Sequence, residues 1–245
     1  MAVQKWTVRI HKWVALIVGL QIVLWIAGGF VMSAIPIEVV RGEHKISHHH
    51  VEPFDVAKLR PLSDVANVIE SSAVKSAALG EMLGRPVWRI VGQGGDLAIV
   101  DARSGAVLSP ITEATARAIA ERDYKGEGAF QSIAYIESPP NEYNKAGPVW
   151  RVQFDDPDAT TIYVDPSTGE VTARRSQTWR LFDFFWKLHV MDYDDGADFN
   201  HPLLITAAGA AIFVSLSGFF LLIIKMRRSF LTWRRQRKNV AEANI

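Results

Sequence analysis

The 245-residue chain contains no cysteine, and that absence removes a whole tier of redox chemistry. Covalent haem attachment through C-x-x-C-H, iron–sulfur clusters and thiol–disulfide exchange all require thiolates. The sequence also has no Walker loop, no G-x-S-x-G, no H-E-x-x-H and no flavin or nicotinamide signature, which sets aside the common nucleotide, hydrolase and zinc-protease classes. Gly92-Gln93-Gly94-Gly95 belongs to a strand-to-strand turn and does not precede a helix, so it is not a phosphate loop. The want of disulfides is no obstacle to folding, because an exported domain of roughly 160 residues buries a sufficient core without them.

Charge is missing from two places. Val14–Ile37 and Pro202–Ile224 are uncharged apolar runs, each longer than the roughly 20 residues that a helix needs to cross a bilayer core. The tails outside them hold ten basic residues against Glu242 alone, while residues 14–224 hold 17 basic and 25 acidic residues. Short basic flanks remain on the cytoplasmic side, which predicts both termini inside and the central domain outside. Trp6, Trp13 and Trp233 fall where an interfacial aromatic belt belongs. The first run exceeds a signal-peptide core and lacks a small-x-small cleavage site, so it reads as a retained anchor.

Between the runs the sequence repeats itself. Pro86-Val87-Trp88-Arg89-Ile90 recurs as Pro148-Val149-Trp150-Arg151-Val152, and Val100-Asp101 through Gly105-Ala106-Val107 recurs as Val164-Asp165 through Gly169-Glu170-Val171. Each copy reads as strands joined by a tight turn, in which Asp101 or Asp165 bonds the backbone two residues on and Gly105 or Gly169 supplies a positive φ. Helices are predicted over Pro61–Leu83, capped at Ser63 with Val65, Ile69, Val74 and Leu79 on one face, and over Pro110–Tyr124 after Ser109. Trp88 and Trp150 are expected in the core.

These motifs resemble the PepSY domain, in two copies: Trp-Arg-Val, then Tyr163-Val164-Asp165-x-x-Thr168-Gly169-Glu170-Val171. The framing Ile10-His11-Lys12-Trp13 and Leu188-His189 resemble the PepSY-associated transmembrane family. The expected fold is α+β: an exported domain of two PepSY-like α/β-hairpin repeats, flanked by two transmembrane helices. The divisions are 1–13 cytoplasmic, 14–37 first span, 38–60 outer linker, 61–124 first repeat with its following helix and 125–178 second repeat. Residues 179–201 form an aromatic segment and acidic loop, 202–224 the second span and 225–245 a basic tail. The resemblance implies an inner-membrane protein of a bacterium with a periplasmic central domain, and in some relatives membrane haem b and reduction of ferric siderophores.

Histidines carry the candidate chemistry. His11, His189 and His201 lie beside the spans, and imidazoles at membrane edges suit haem ligation. His201 equally suits a helix cap and His11 an interfacial polar residue. Arg9 and Lys12 can pair with haem propionates or lipid phosphates. No histidine near Leu221–Arg228 meets His11 within one chain, which points to a homodimer sharing the haem through its four helices. Small residues Ala15, Gly19, Ala207, Ala211, Ser215 and Gly218 permit close helix approach.

His44, His48, His49 and His50 form a possible metal cluster or a solvated linker. Asp192, Asp194, Asp195 and Asp198 miss the calcium-loop spacing, with Leu203 at the twelfth position. They form an acidic loop able to steer a cationic partner. Gln21 and Trp25, one turn apart at mid-span, can touch a quinone or haem edge, although a hydrogen bond between packed helices is the expected role. The electron donor would be a quinol or a separate reductase, and the acceptor ferric siderophore iron. The competing expectation is a non-enzymatic, membrane-anchored module whose strand edges bind an envelope protein or peptidase. No nucleic-acid partner is expected.

Overall fold

A computed structural model describes residues 2–47, 53–69, 73–194, 196–198 and 200–243, with backbone alone for 2–11, 221 and 235–243. The chain divides into two units, Met1–Ser33 with Phe185–Ile245, and Ala34–Phe184.

The first unit is built on two long helices, α1 (Ala2–Ala34) and α6 (Pro202–Ala243). Helix α1 stops three residues before the end of its apolar run, since Pro36 disfavours helical geometry at the residue before it. Ile37 instead opens a single separate turn, α2 (Ile37–Val40). Lys12–Ala34 and Pro202–Arg234 are each long and apolar enough to cross a membrane, and almost none of either is buried within the fold. Leu16, Leu20, Val23 and Phe30 on α1, and Ile212, Phe213, Leu216 and Phe219 on α6, are exposed. In water such surfaces would be untenable, whereas lipid accepts them.

The second unit holds two antiparallel sheets. The first has order β1 (Val74–Met82), β2 (Arg85–Gly92), β3 (Leu97–Asp101); the second has order β4 (Ala129–Ile136), β5 (Val149–Asp155), β6 (Thr161–Val164), β7 (Val171–Arg175). The helix predicted over Pro61–Leu83 is not formed. Only α3 (Leu62–Val65) and a 3-10 turn at Ala66–Val68 appear, and Val74–Met82 is a strand whose Ala77 and Leu79 face Ile90 and Trp88 across the ladder. The spacing of Val65, Ile69, Val74 and Leu79 fits either element over so short a run, and pairing with β2 decides it. Ser63 does not cap; its hydroxyl bonds Asp64. Val65 and Ile69 nevertheless bury, against Ile90 and Val100.

Helix α4 (Glu113–Asp123) forms as expected but starts later. Thr112 is its cap, accepting the Thr115 N–H, while the Ser109 hydroxyl accepts the Ile99 N–H. Ala116 and Ala120 of α4 enter the main core with Val87 and Ile99 of the first sheet and Val152 and Ile162 of the second. Trp88 and Trp150 are partly buried at the margins of two cores, and each indole N–H is used: Trp88 donates to Arg60 O at 3.0 Å and Trp150 to Ile111 O at 3.2 Å.

The two tight turns have matching geometry. Asp101 Oδ1 accepts the N–H groups of Arg103 and Ser104, and Asp165 Oδ1 those of Ser167 and Thr168. Gly169 has φ +63°, and a Cβ there would lie 2.8 Å from Met82 Sδ and 3.3 Å from Ile99 Cδ1. The turn therefore presses its backbone onto the first sheet. Gly169→Ala should destabilise the protein by about 2–4 kcal/mol, combining left-handed strain with overpacking. Thermal unfolding of the solubilised chain checks this. Gly84→Ala, also at positive φ (+80°) but with open space around it, should cost about 1–2 kcal/mol.

Candidate functional site

A third helix, α5 (Gln177–Val190), enters the membrane unit from Phe185 onward. Gly28 of α1 is buried, and the position of its missing Cβ is 3.7 Å from Phe185 O and 3.8 Å from Phe185 Cδ1. A Cβ there would make ordinary van der Waals contact with α5, so the two helices pack closely at this point. One turn further along α5, the His189 imidazole lies against the Trp25 indole, with ring centroids 6.2 Å apart. Trp25 sits nine residues before the Ala34 end of α1, about 14 Å along the helix axis. The His189 ring is therefore held well inside the span.

His189 Nδ1, Trp25 Nε1 and Gln21 Nε2 are all buried and have no hydrogen-bond partner. Gln21 lies one turn before Trp25 on the partly covered side of α1. The expected hydrogen bond from Gln21 Nε2 or Trp25 Nε1 to a packed helix is not made. In a bilayer each unmet polar group costs several kcal/mol, so three together are a standing cost to the fold. An imidazole able to ligate iron, beside two N–H donors able to hold a carboxylate or carbonyl oxygen, is a donor set that fits a haem.

The other candidates fall elsewhere. His11 is in α1, with its side chain outside the described residues. His201 Nδ1 accepts the Leu203 N–H at 3.3 Å and so caps α6. His44 lies in a 3-10 turn, Glu43–Lys45, and His48, His49 and His50 lie outside the described residues. Among the described residues no group of three metal-ligating side chains occurs. Asp192 spends both carboxylate oxygens on its own loop, accepting from Asp194 N and Asp198 N, and Trp186 Nε1 donates to Gly196 O at 2.9 Å. Asp195 lies outside the described residues.

Two polar networks in the central unit are not announced by any motif. Asp156 accepts from Lys45 Nζ at 2.8 Å, Thr160 Oγ1 at 2.6 Å, Thr160 N at 2.7 Å and Tyr124 Oη at 3.0 Å. Burial alone would raise its carboxyl, but Lys45 and these donors outweigh it and hold the pKa at about 2. The linker strand is tied here too, through Ser47 N to Asp123 O and Lys125 N to Lys45 O. In the second network Glu142 accepts from Tyr163 Oη at 2.6 Å and Arg180 Nε at 3.0 Å. Burial and the Glu142 carboxylate raise the Tyr163 phenol, while Tyr163 and Arg180 hold Glu142 below the usual range against its burial. Both networks pair every charge they bury, which is a structural arrangement.

A family model for the PepSY-associated TM region matches residues 8–242. No curated protein and no solved structure matches the chain.

The Asp156 network sets an acid limit. With the folded pKa below the ordinary 3.8, the carboxylate's contribution is whole above 3.8 and is lost as pH falls toward about 2. Unfolding of the solubilised protein followed across this range should show that loss, and Asp156→Asn should abolish it. Asp156→Ala should cost about 1–3 kcal/mol near neutral pH, because Thr160 and Tyr124 lose their acceptor while Lys45 keeps Asp158.

Proposed function

Because the chain belongs to the PepSY-associated transmembrane family, we propose that this membrane protein binds haem b at His189 and carries electrons across a bacterial inner membrane to ferric, siderophore-type iron outside. The observation that carries this reading is the group of three buried, unpartnered polar atoms on Gln21, Trp25 and His189. Bound haem would supply one-electron exchange between ferric and ferrous iron. His189 would hold the haem iron, Trp25 packs against the His189 ring, and the Gln21 and Trp25 N–H groups would hold an oxygen of the cofactor.

Among the described side chains of this unit the imidazoles are His189 and His201, and His201 is engaged as a cap by one nitrogen. A second copy would supply the other imidazole, from His11 or His189, and the working unit would be a homodimer. Electrons enter from a quinol or a separate reductase. The basic tails lie in the cytoplasm and the central unit in the periplasm, by the charge bias of the flanks. The two sheets are two copies of one PepSY-like unit, a reading supported by their matching Trp-Arg strands and Asp-anchored turns.

Reduced-minus-oxidised spectra of protein purified from cells supplied with haem test this directly. Wild type should give a low-spin haem b signal, and His189→Ala should lose most of it while keeping expression and elution volume. Trp25→Phe should retain the haem but shift its midpoint potential. Wild type with no haem signal, or His189→Ala with a full one, overturns the assignment.

A further inference from the structure

Helix α6 does not stop where its apolar run stops. Pro202–Ile224 is uncharged, yet the helix continues to Ala243, 42 residues in all. A bilayer with its headgroups is about 40–45 Å thick, which about 28–30 residues of helix cross. With Pro202, which follows the acidic loop, at the outer headgroup surface, that length ends between Ser229 and Leu231. Lys225, Arg227 and Arg228 therefore stand at the depth of the opposite headgroups. Arg234 lies within a Debye length of them, about 8 Å.

The residues at this depth are of one charge sign. Seven basic residues fall between Lys225 and Lys238, and no acidic residue occurs between Asp198 and Glu242. The side chains of Lys225, Arg227, Arg228 and Arg234 are exposed, and this stretch of helix carries no carboxylate to neutralise them. Met226, Phe230 and Trp233 recur at helical spacing along one side and are exposed as well, with the Phe230 and Trp233 rings 5.9 Å apart. Helical side chains lean toward the N-terminus of their helix, so these rings lean back toward the bilayer. An aromatic stripe among cations suits the boundary between acyl chains and headgroups.

We propose that Lys225–Arg234 of α6 is a binding site for anionic phospholipid headgroups. Lys225, Arg227, Arg228 and Arg234 take the phosphodiesters, and Met226, Phe230 and Trp233 pack on the glycerol and upper acyl region. A zwitterionic lipid brings its own cation, which this uncompensated basic cluster repels; an anionic lipid does not. A second α6 would meet the same repulsion, and a polynucleotide does not enter the headgroup layer where Lys225 and Arg227 lie. Topology requires only that such a tail stay on one side of the membrane. Selection among headgroups is a further property, set by where along the helix the charges fall. It is independent of the haem assignment.

The test reconstitutes the full chain in vesicles of equal phosphatidylglycerol and phosphatidylcholine, extracts it in neutral detergent and measures the phospholipid retained per protein by mass spectrometry. Wild type should retain phosphatidylglycerol over phosphatidylcholine by about tenfold or more, and extraction in high salt should shrink that preference. The K225Q/R227Q/R228Q/R234Q variant should bring it to within about twofold. The wild-type comparison needs no variant, so a folding defect in the quadruple variant does not blunt the test. Equal retention of the two lipids overturns the proposal, and so does a preference that the variant keeps in full. Displacement of phosphatidylglycerol by inorganic phosphate assigns the cluster to free anions, and displacement by short duplex DNA assigns it to nucleic acid. Either result also overturns it.

Discussion

Hydrocarbon offers no hydrogen bonds, and the rest of this structure depends on that constraint. It forces the spanning segments into helices, because a helix alone satisfies its backbone within one segment. It makes the exposed Leu, Ile and Phe sides of α1 and α6 favourable where water would make them a liability. It also gives the Gln21–Trp25–His189 group its meaning. On a soluble surface three unpaired nitrogens would be hydrated and of no interest. Within a span they are a standing cost, which the proposed haem would remove.

The central unit answers to a different rule, that close packing must be reconciled with charge. The second sheet rests on the first through a glycine backbone at Gly169 pressed onto Met82 and Ile99, with Arg89 holding the flanks of the same turn. Shape and charge act on one element there. Lys45 and Asp156 do the same for the linker after the first span, since a buried pair is tolerated only when its remaining donors and acceptors are met. Thr160 and Tyr124 meet them.

How much of this was legible depends on the distance over which each feature is encoded. The spans are local, and their composition gave them away; even the early stop of α1 is written in Pro36. The two Asp-anchored turns are equally local, since Asp165 bonds groups two and three residues on. Val74–Met82 reads as helix in the sequence because its partner β2 lies outside any window that periodicity samples. The Lys45–Asp156 latch joins residues far apart in sequence and has no motif. His189 is recognisable as a residue of interest from its aromatic neighbourhood, but its contact with Trp25 across α1 and α5 appears only when the helices meet. Gln21 and Trp25 were visible as a polar pair; that neither nitrogen finds a protein partner was not.

Polar pairing divides the buried groups of both units into two sets. Asp156, Glu142 and Arg89 are satisfied by several partners each, and every one of those partners is supplied by this chain. His189 Nδ1, Trp25 Nε1 and Gln21 Nε2 in one unit, and Arg151 Nε and Thr168 Oγ1 in the other, sit on regular helices, strands and turns and yet lack partners. Poor folding does not account for the difference, because Arg151 sits mid-strand in regular register with Tyr163 and Trp25 sits mid-helix. A fold that pairs its charges through the Lys45 and Glu142 networks but leaves the α1 and α5 nitrogens open is what the proposed haem site requires.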